Sequence, residues 1–235
     1  MVKLYYDLHI HSCLSPCGSD DMTPNNIVGM AHIKGLDIIA VTDHNACDNL
    51  KAIAQVAEGF DILLVPGMEI QTREEVHVLC YFRGIADLLD FNDAMATFRT
   101  TILNKPKVFG QQQILNEMDE QIGEEPRALM MSVDLSIEAV VALTQKYDGC
   151  VVPAHINKAS NSILVNLGFI PEALGFKTVE VHENSPIAVG LTKDYQVIYN
   201  SDAHYLDQIS EPIHFMDLKE RSCSAVIDYL LGKVL

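Results

Sequence analysis

Residues Leu4–His11 (LYYDLHIH), Thr23–Gly35 (TPNNIVGMAHIKG) and Asp37–Thr42 (DIIAVT) decide the fold. The first and last are short apolar runs of strand length. Between them, Thr23 has N-cap chemistry and Pro24 suits the first helical position. Ile27, Val28, Met30 and Ala31 give an apolar helical face, and Gly35 closes it. Strand–helix–strand is the unit of an α/β protein with a largely parallel sheet. The rhythm continues with candidate strands at Ile62–Glu69, Val76–Phe82, Cys150–His155, Thr178–Glu183 and Gln196–Ser201. DIIAVT and DILLVPG are apolar on both sides, as strands covered on both faces should be. A second helix is expected over roughly 46–57, stopping at Gly59. SCSAVIDYLLG fits a short amphipathic helix ending near Gly232.

Residues 85–145 break this rhythm. The stretch is mostly helical in composition, carries a polar run around Gln111–Gln121, and ends in a covering helix, LSIEAVVALTQKYDG. It exceeds an ordinary connection and reads as a helical insertion, either covering helices or a lid.

The chain has 235 residues, with 16 Lys+Arg against 32 Asp+Glu and a formal net charge of -16. Hydrophobic residues at 49% and charged residues at 20% are globular proportions. The length suits one large domain, 1–235, needing no disulfide staples. No run approaches the ~20 apolar residues of a spanning helix, so no membrane association is expected. MVKLYYDLHIHS lacks a secretion-signal core, so the six cysteines are expected as free thiols in the cytoplasm. Long nucleic acids bind through Lys and Arg, and no basic run is present, which argues against such partners.

The chemistry lies in histidines at the downstream ends of the strands, where α/β proteins bind ligands. In Asp7-Leu8-His9-Ile10-His11, residues two apart share a face, with Cα atoms ~6.7 Å apart. Two imidazoles at that spacing can share one metal ion, and Asp7 could take a ring N–H. VTDHN ends its strand in Asp43 and His44; alone, this pair equally describes an N-cap and a surface histidine. PGMEI ends its strand in Glu69, a carboxylate needing water, a partner or a metal. His77 and His155 lie in apolar strands, and YNSDAH adds Asp202 and His204. His9, His11, Glu69, His77, His155, Asp202 and His204 exceed the needs of one structural zinc site. With His44 they would supply two or three divalent ions, and imidazole mixed with carboxylate favours Zn, Mn or Fe.

DLHIHS, TDHN, GMEI, single His77 and His155, and SDAH occur in the order of motifs in the polymerase-and-histidinol-phosphatase (PHP) family, which the chain resembles over about residues 4–204. The resemblance implies a single catalytic domain: a distorted seven-stranded β/α (TIM-like) barrel with a helical insertion. It implies one ion held by His9, His11, Glu69 and Asp202, and a second by Glu69, His77 and His155. A third would be held by His44, His204 and the loop after the first motif. Many members carry Ser-Asp-Gly there; this chain has SCLSPCGSDDMTP. Asp20 is the expected third-site ligand, with Cys17 and Asp21 as rivals, while Cys13 and Cys17 read more readily as inert small apolar residues than as thiolate ligands.

The activity implied is metal-dependent hydrolysis of a phosphoric ester in a small phosphorylated metabolite or nucleotide. Bound water would be activated by the ions, and His44 would be the general acid if it is not a ligand. Arg73 and Lys158 follow strand ends and could meet phosphate, although solvated surface charge describes each better. His182 and Glu183 could contact substrate. His32 and His214 read as structural, and Cys47 and Cys80 could lie near the ions. Competing readings are an amidohydrolase-type C–N hydrolase, a short-oligonucleotide nuclease, and a non-catalytic metal-binding regulatory domain.

Overall fold

The computed structural model describes residues 1–183, 185–188 and 190–233. Its strands are β1 (Val2–Ile10), β2 (Ile38–Val41), β3 (Leu63–Leu64), β4 (Gly67–Gln71), β5 (His77–Tyr81), β6 (Gln113–Leu115), β7 (Gln121–Glu124), β8 (Cys150–Pro153), β9 (Thr178–Glu180), β10 (Gln196–Ile198) and β11 (Phe215–Leu218). Its helices are α1 (Pro24–Lys34), α2 (Leu50–Gly59), α3 (Ile85–Met95), α4 (Pro106–Phe109), α5 (Ile137–Lys146), α6 (Ile163–Leu167) and α7 (Cys223–Leu230). No helix among the described residues is long and apolar enough to cross a membrane.

The opening unit forms as its residues dictate. Thr23 caps α1 by accepting from the Asn26 N–H, and Gly35 ends it at φ 77, in the left-handed region that glycine tolerates. Strands β1 and β2 pair in parallel, with α1 between them in sequence. Ile27, Val28 and Ala31 of α1 bury against Ile39, Val41 and Ile53. Helix α2 starts later than expected because Asn49 is engaged elsewhere. Its amide donates to Ser12 Oγ at 3.0 Å, and its oxygen accepts from Leu115 N at 2.8 Å.

The barrel expectation is overturned. The strands form separate sheets, in the orders β11-β1-β2-β3, β4-β5-β8, β10-β9 and β6-β7, and none closes into a barrel among the described residues. Two physical reasons stand out. Pro66 has no N–H and splits the expected Ile62–Glu69 strand, leaving β3 on β2 and sending β4 to a different partner. Strand β4 then pairs antiparallel with β5, and β5 antiparallel with β8, so the sheet is not the parallel one expected. Isolated bridges, Ile10 to Ala203 and His44 to Glu69, tie segments of different sheets together, and side chains of the separate sheets share one hydrophobic cluster.

The reading of 85–145 as a helical insertion is also corrected. Helix α3 is followed by the four-residue α4 and then by an antiparallel ribbon of β6 and β7. The missed signal is turn chemistry: Asn116 Oδ1 accepts from Met118 N at 3.0 Å and Glu120 N at 2.9 Å. The ribbon packs onto the loop after β1, where Gln113 N donates to Cys13 O at 3.0 Å.

Candidate metal centre

Bridges between strand ends assemble the centre. His11 N donates to Ala203 O at 2.9 Å, which joins the first motif to the last. Asn45 N donates to Glu69 O at 2.8 Å, joining the second to the third. His155 (φ 27) and Asp202 (φ 51) take left-handed backbone at the ends of their segments. Such a conformation costs an L-residue about 1–2 kcal/mol.

Glu69 is fully buried at the middle of the cluster. Its Oε1 lies 2.9 Å from His77 Nδ1, 3.3 Å from His155 Nε2 and 3.4 Å from His9 Nε2. Its Oε2 lies 2.9 Å from His44 Nδ1 and 3.4 Å from His11 Nε2. Asp202 Oδ1 is 3.0 Å from His11 Nε2 and 3.2 Å from His9 Nε2. Burial alone would raise the Glu69 carboxyl, but His77, His9 and His44 beside it hold it well below the ordinary carboxylate range.

Among the described residues, three groups of side chains offer atoms within 4.8 Å of one another: His9, His11 and Asp202; His44, Glu69 and His77; and His11, Cys17, His44 and His204. The expected residues therefore come together in a different grouping. His44 sits with Glu69 and His77, whereas His155 reaches Glu69 from the side. Asp20 stands apart: it is exposed, and its Oδ1 accepts from Gln113 Nε2 at 2.8 Å. Asp21 is exposed as well. Cys17, the rival to Asp20 in this loop, lies with His11, His44 and His204 instead. The loop folds so tightly that a Cβ on Gly18 would sit 2.4 Å from Ser12 O, and this turn presents residue 17 to the histidines. Desolvation would raise the Cys17 thiol, but His44 and His204 beside it bring it down to about 7. Cys13 is buried, with its thiol pushed up to about 12 by burial.

Three of the rings are held from behind at their other nitrogen. His9 Nδ1 meets Glu180 Oε1 and Oε2 at 3.0 and 3.1 Å. His11 Nδ1 donates to Ser15 Oγ at 3.0 Å, and that hydroxyl donates to Asp43 Oδ1 at 2.6 Å. His204 Nδ1 donates to Asp202 O at 2.7 Å. Each contact leaves Nε2 as the lone-pair nitrogen directed at the cluster, as carboxylate–histidine pairs do around metals.

Glu180 was missed by the sequence reading, which gave this role to Asp7. Asp7 instead accepts from Ser201 Oγ at 2.6 Å and Ser210 N at 2.9 Å. The available signal was a glutamate inside an apolar strand, TVEV. Glu180 also accepts from His155 N at 2.7 Å and Asn200 Nδ2 at 2.7 Å. Replacing Glu180 by Gln is expected to weaken Zn²⁺ binding about 10–100-fold, read by competition with a chromogenic chelator. Unchanged affinity would show that Glu180 does not orient His9.

Lys158 reaches the cluster: its Nζ contacts Asp202 Oδ2. Arg73 does not, being exposed and paired with Asp134 through Nε at 3.0 Å and Nη2 at 2.8 Å. His182, Lys158 and Asp202 line a cavity of about 540 Å³ together with His214, which stacks on Tyr199 at 4.7 Å. His32 packs on Phe60, away from the centre. Cys47 and Cys80 are buried, and burial pushes both thiols up, which disfavours the reactive thiolate.

The donor set fits divalent cations. Both oxygens of Glu69 and the Nδ1 atoms of His44 and His77 are buried without a hydrogen bond, despite their close approach. Groups of this polarity left so are costly unless something else satisfies them, and lone pairs converging from imidazole and carboxylate suit Zn, Mn or Fe.

Comparison with known proteins places the chain. An uncharacterised protein of Methanocaldococcus jannaschii, MJ0043, is 27% identical over 181 residues, covering 76% of this chain and 20% of that protein. The chain thus spans about a fifth of that relative's length. The lesion-specific endonuclease PfuEndoQ of Pyrococcus furiosus matches with a TM-score of 0.72 and 16% identity, over 99% of this chain and 57% of that one. A Bifidobacterium adolescentis protein provisionally described as a metal-dependent phosphoesterase matches with a TM-score of 0.62 and 17% identity, over 98% and 96%. At these identities the two structures speak for the fold alone. The PHP domain family model matches residues 7–228, from within β1 into α7, and the chain belongs to the PHP domain family.

Proposed function

We propose that the chain is a metal-dependent phosphoesterase acting on a small phosphorylated metabolite or nucleotide. The observation that carries this reading is Glu69, a buried carboxylate with five imidazoles around it and no hydrogen bond to either oxygen. Two or three divalent cations would be held by His9, His11, Glu69 and Asp202, by His44, His77 and His155, and by Cys17 and His204. When bound, such ions supply an activated water and Lewis-acid polarisation of the phosphoryl group.

The chain's own residues orient and bind. Glu180 and Ser15 fix the rings of His9 and His11, so those two nitrogens need no reorganisation. Lys158, beside Asp202 at the edge of the larger cavity, is placed to hold a phosphoryl oxygen. Its positive charge and those of the ions offset the acidic whole for an anionic substrate. His44 belongs to two ligand groups, which favours the ligand role over the proton-donor role.

The test is elemental analysis of the purified chain, then a panel of phosphate esters and amides with Mn²⁺ and Zn²⁺. Turnover of phosphate esters is expected, and Lys158→Ala should lower kcat/KM about a hundredfold with the metal content per chain unchanged. Metal-replete protein that cleaves amides instead, or no ester at all, would overturn the reading.

A further inference from the structure

One hydroxyl oxygen in the loop after β1 serves two residues of the cluster that follow different strands. Ser15 Oγ lies 3.0 Å from His11 Nδ1 and accepts from the His44 backbone N–H at 3.1 Å. It also lies 2.6 Å from Asp43 Oδ1. Ser12, Ser15, Asp43 and Asn49 are all buried, so each proton among them needs a definite acceptor.

Backbone groups fix where those protons go, beginning at β6. Leu115 N–H donates to Asn49 Oδ1 at 2.8 Å, and the Gln113 carbonyl accepts from Asn49 Nδ2 at 3.1 Å, which sets the orientation of that amide. Asn49 Nδ2 then donates to Ser12 Oγ at 3.0 Å, as does Leu14 N–H at 3.1 Å. These two donors fill both lone pairs of the Ser12 hydroxyl, so its own proton goes to Asp43 Oδ2 at 2.6 Å. Ser12 N–H donates to Asp43 Oδ1 at 2.7 Å. Asp43 therefore stands as an acceptor: a proton on Oδ2 would face a hydroxyl with no lone pair left. As a carboxylate it takes the Ser15 proton on Oδ1. The Ser15 oxygen holds His44 N–H on one lone pair and keeps the other for a proton on His11 Nδ1. That leaves His11 Nε2 with its lone pair 3.0 Å from Asp202 Oδ1 and 3.4 Å from Glu69 Oε2, where a shared cation would satisfy all three.

We infer that Asp43 is a positioning residue that acts through Ser15 to keep the proton of His11 on Nδ1 and so makes Nε2 a metal ligand. Where Glu180 touches the His9 ring directly, Asp43 works at one remove, through a hydroxyl that also anchors the His44 backbone. The inference rests on the metal-binding part of the reading above.

The experiment uses the full chain, metal-free for the tautomer and titrated with Zn²⁺ against a chromogenic chelator for affinity. Long-range proton–nitrogen NMR correlation of the histidine rings, at mildly alkaline pH where a free imidazole is neutral, reads which nitrogen of His11 carries the proton. The His11 signals are those missing from His11→Ala. Nδ1 is expected in the native chain. Ser15→Ala should move the proton to Nε2 and weaken Zn²⁺ binding about 10–100-fold, whereas Ser15→Thr, which keeps the hydroxyl, should leave both as in the native chain. Asp43→Asn should weaken Zn²⁺ binding on the same scale alone, but by less than about twofold in the Ser15→Ala background, where the hydroxyl it acts through is gone. A native His11 proton on Nε2, a Ser15→Ala proton still on Nδ1, or the full cost of Asp43→Asn in both backgrounds would overturn the inference. Should Asp43→Asn not fold, the Ser15→Ala and Ser15→Thr pair decides it alone. A native chain that binds no Zn²⁺ would overturn the metal reading instead, and the tautomer would still be read.

Discussion

Glu69→Gln is expected to strip the chain of most of its bound cations and to lower phosphoester turnover at least about a thousandfold. Glu69 lies within 3.4 Å of ring nitrogens from His9, His11, His44, His77 and His155, so it touches more of the centre than any imidazole does. The amide has the same shape but no charge, so two cations could no longer share its neutralisation. Losing about 4 kcal/mol of transition-state stabilisation corresponds to that thousandfold factor. Plasma emission measurement of metal per chain, alongside kcat/KM on a nitrophenyl ester, reads both effects. A Gln variant with its full metal complement would show that the ions do not depend on this carboxylate.

Chelation should lower the melting temperature, and restored Zn²⁺ or Mn²⁺ should raise it by about 5–11 °C for each site filled at a hundredfold excess over Kd. At that excess, binding to the folded state alone adds about 2.7 kcal/mol, and each kcal/mol shifts a domain of this size about 2–4 °C. The physical source is the buried group of polar atoms that make no hydrogen bond, Glu69 Oε1 and Oε2 with His44 Nδ1 and His77 Nδ1. A bound cation would give all of them a partner at once. Differential scanning calorimetry with and without chelator measures the shift. Identical transitions would mean the cluster holds no ion at the concentrations used.

What the sequence revealed depended on how local the deciding physics was. Helix α1 could be read because Thr23, Pro24 and Gly35 act within one or two turns of chain. The convergence of His9, His11, Glu69, His77 and Asp202 was legible because imidazoles and carboxylates recur in or beside apolar runs, although Glu69 lies in the middle of β4 and His77 opens β5 rather than ending it. Which of Asp20, Cys17 and Asp21 would lie beside the histidines was not, since that depends on Gly18 folding against Ser12 and on Gln113, 93 residues away, occupying Asp20. Glu180 stayed hidden because its partners His9 and Asn200 lie on other segments. Sheet closure failed as an expectation because strand direction is set by pairing partners, and β4, β5 and β8 chose antiparallel ones.

The left-handed backbone at His155 and Asp202 reaches beyond catalysis. Any library of replacements at these two positions will be filtered by the main chain before chemistry is tested, with asparagine and glycine entering readily and valine, isoleucine or threonine excluded by their branched Cβ. Inactivity of a branched variant there would report a displaced loop as much as a lost ligand, so asparagine is the informative exchange.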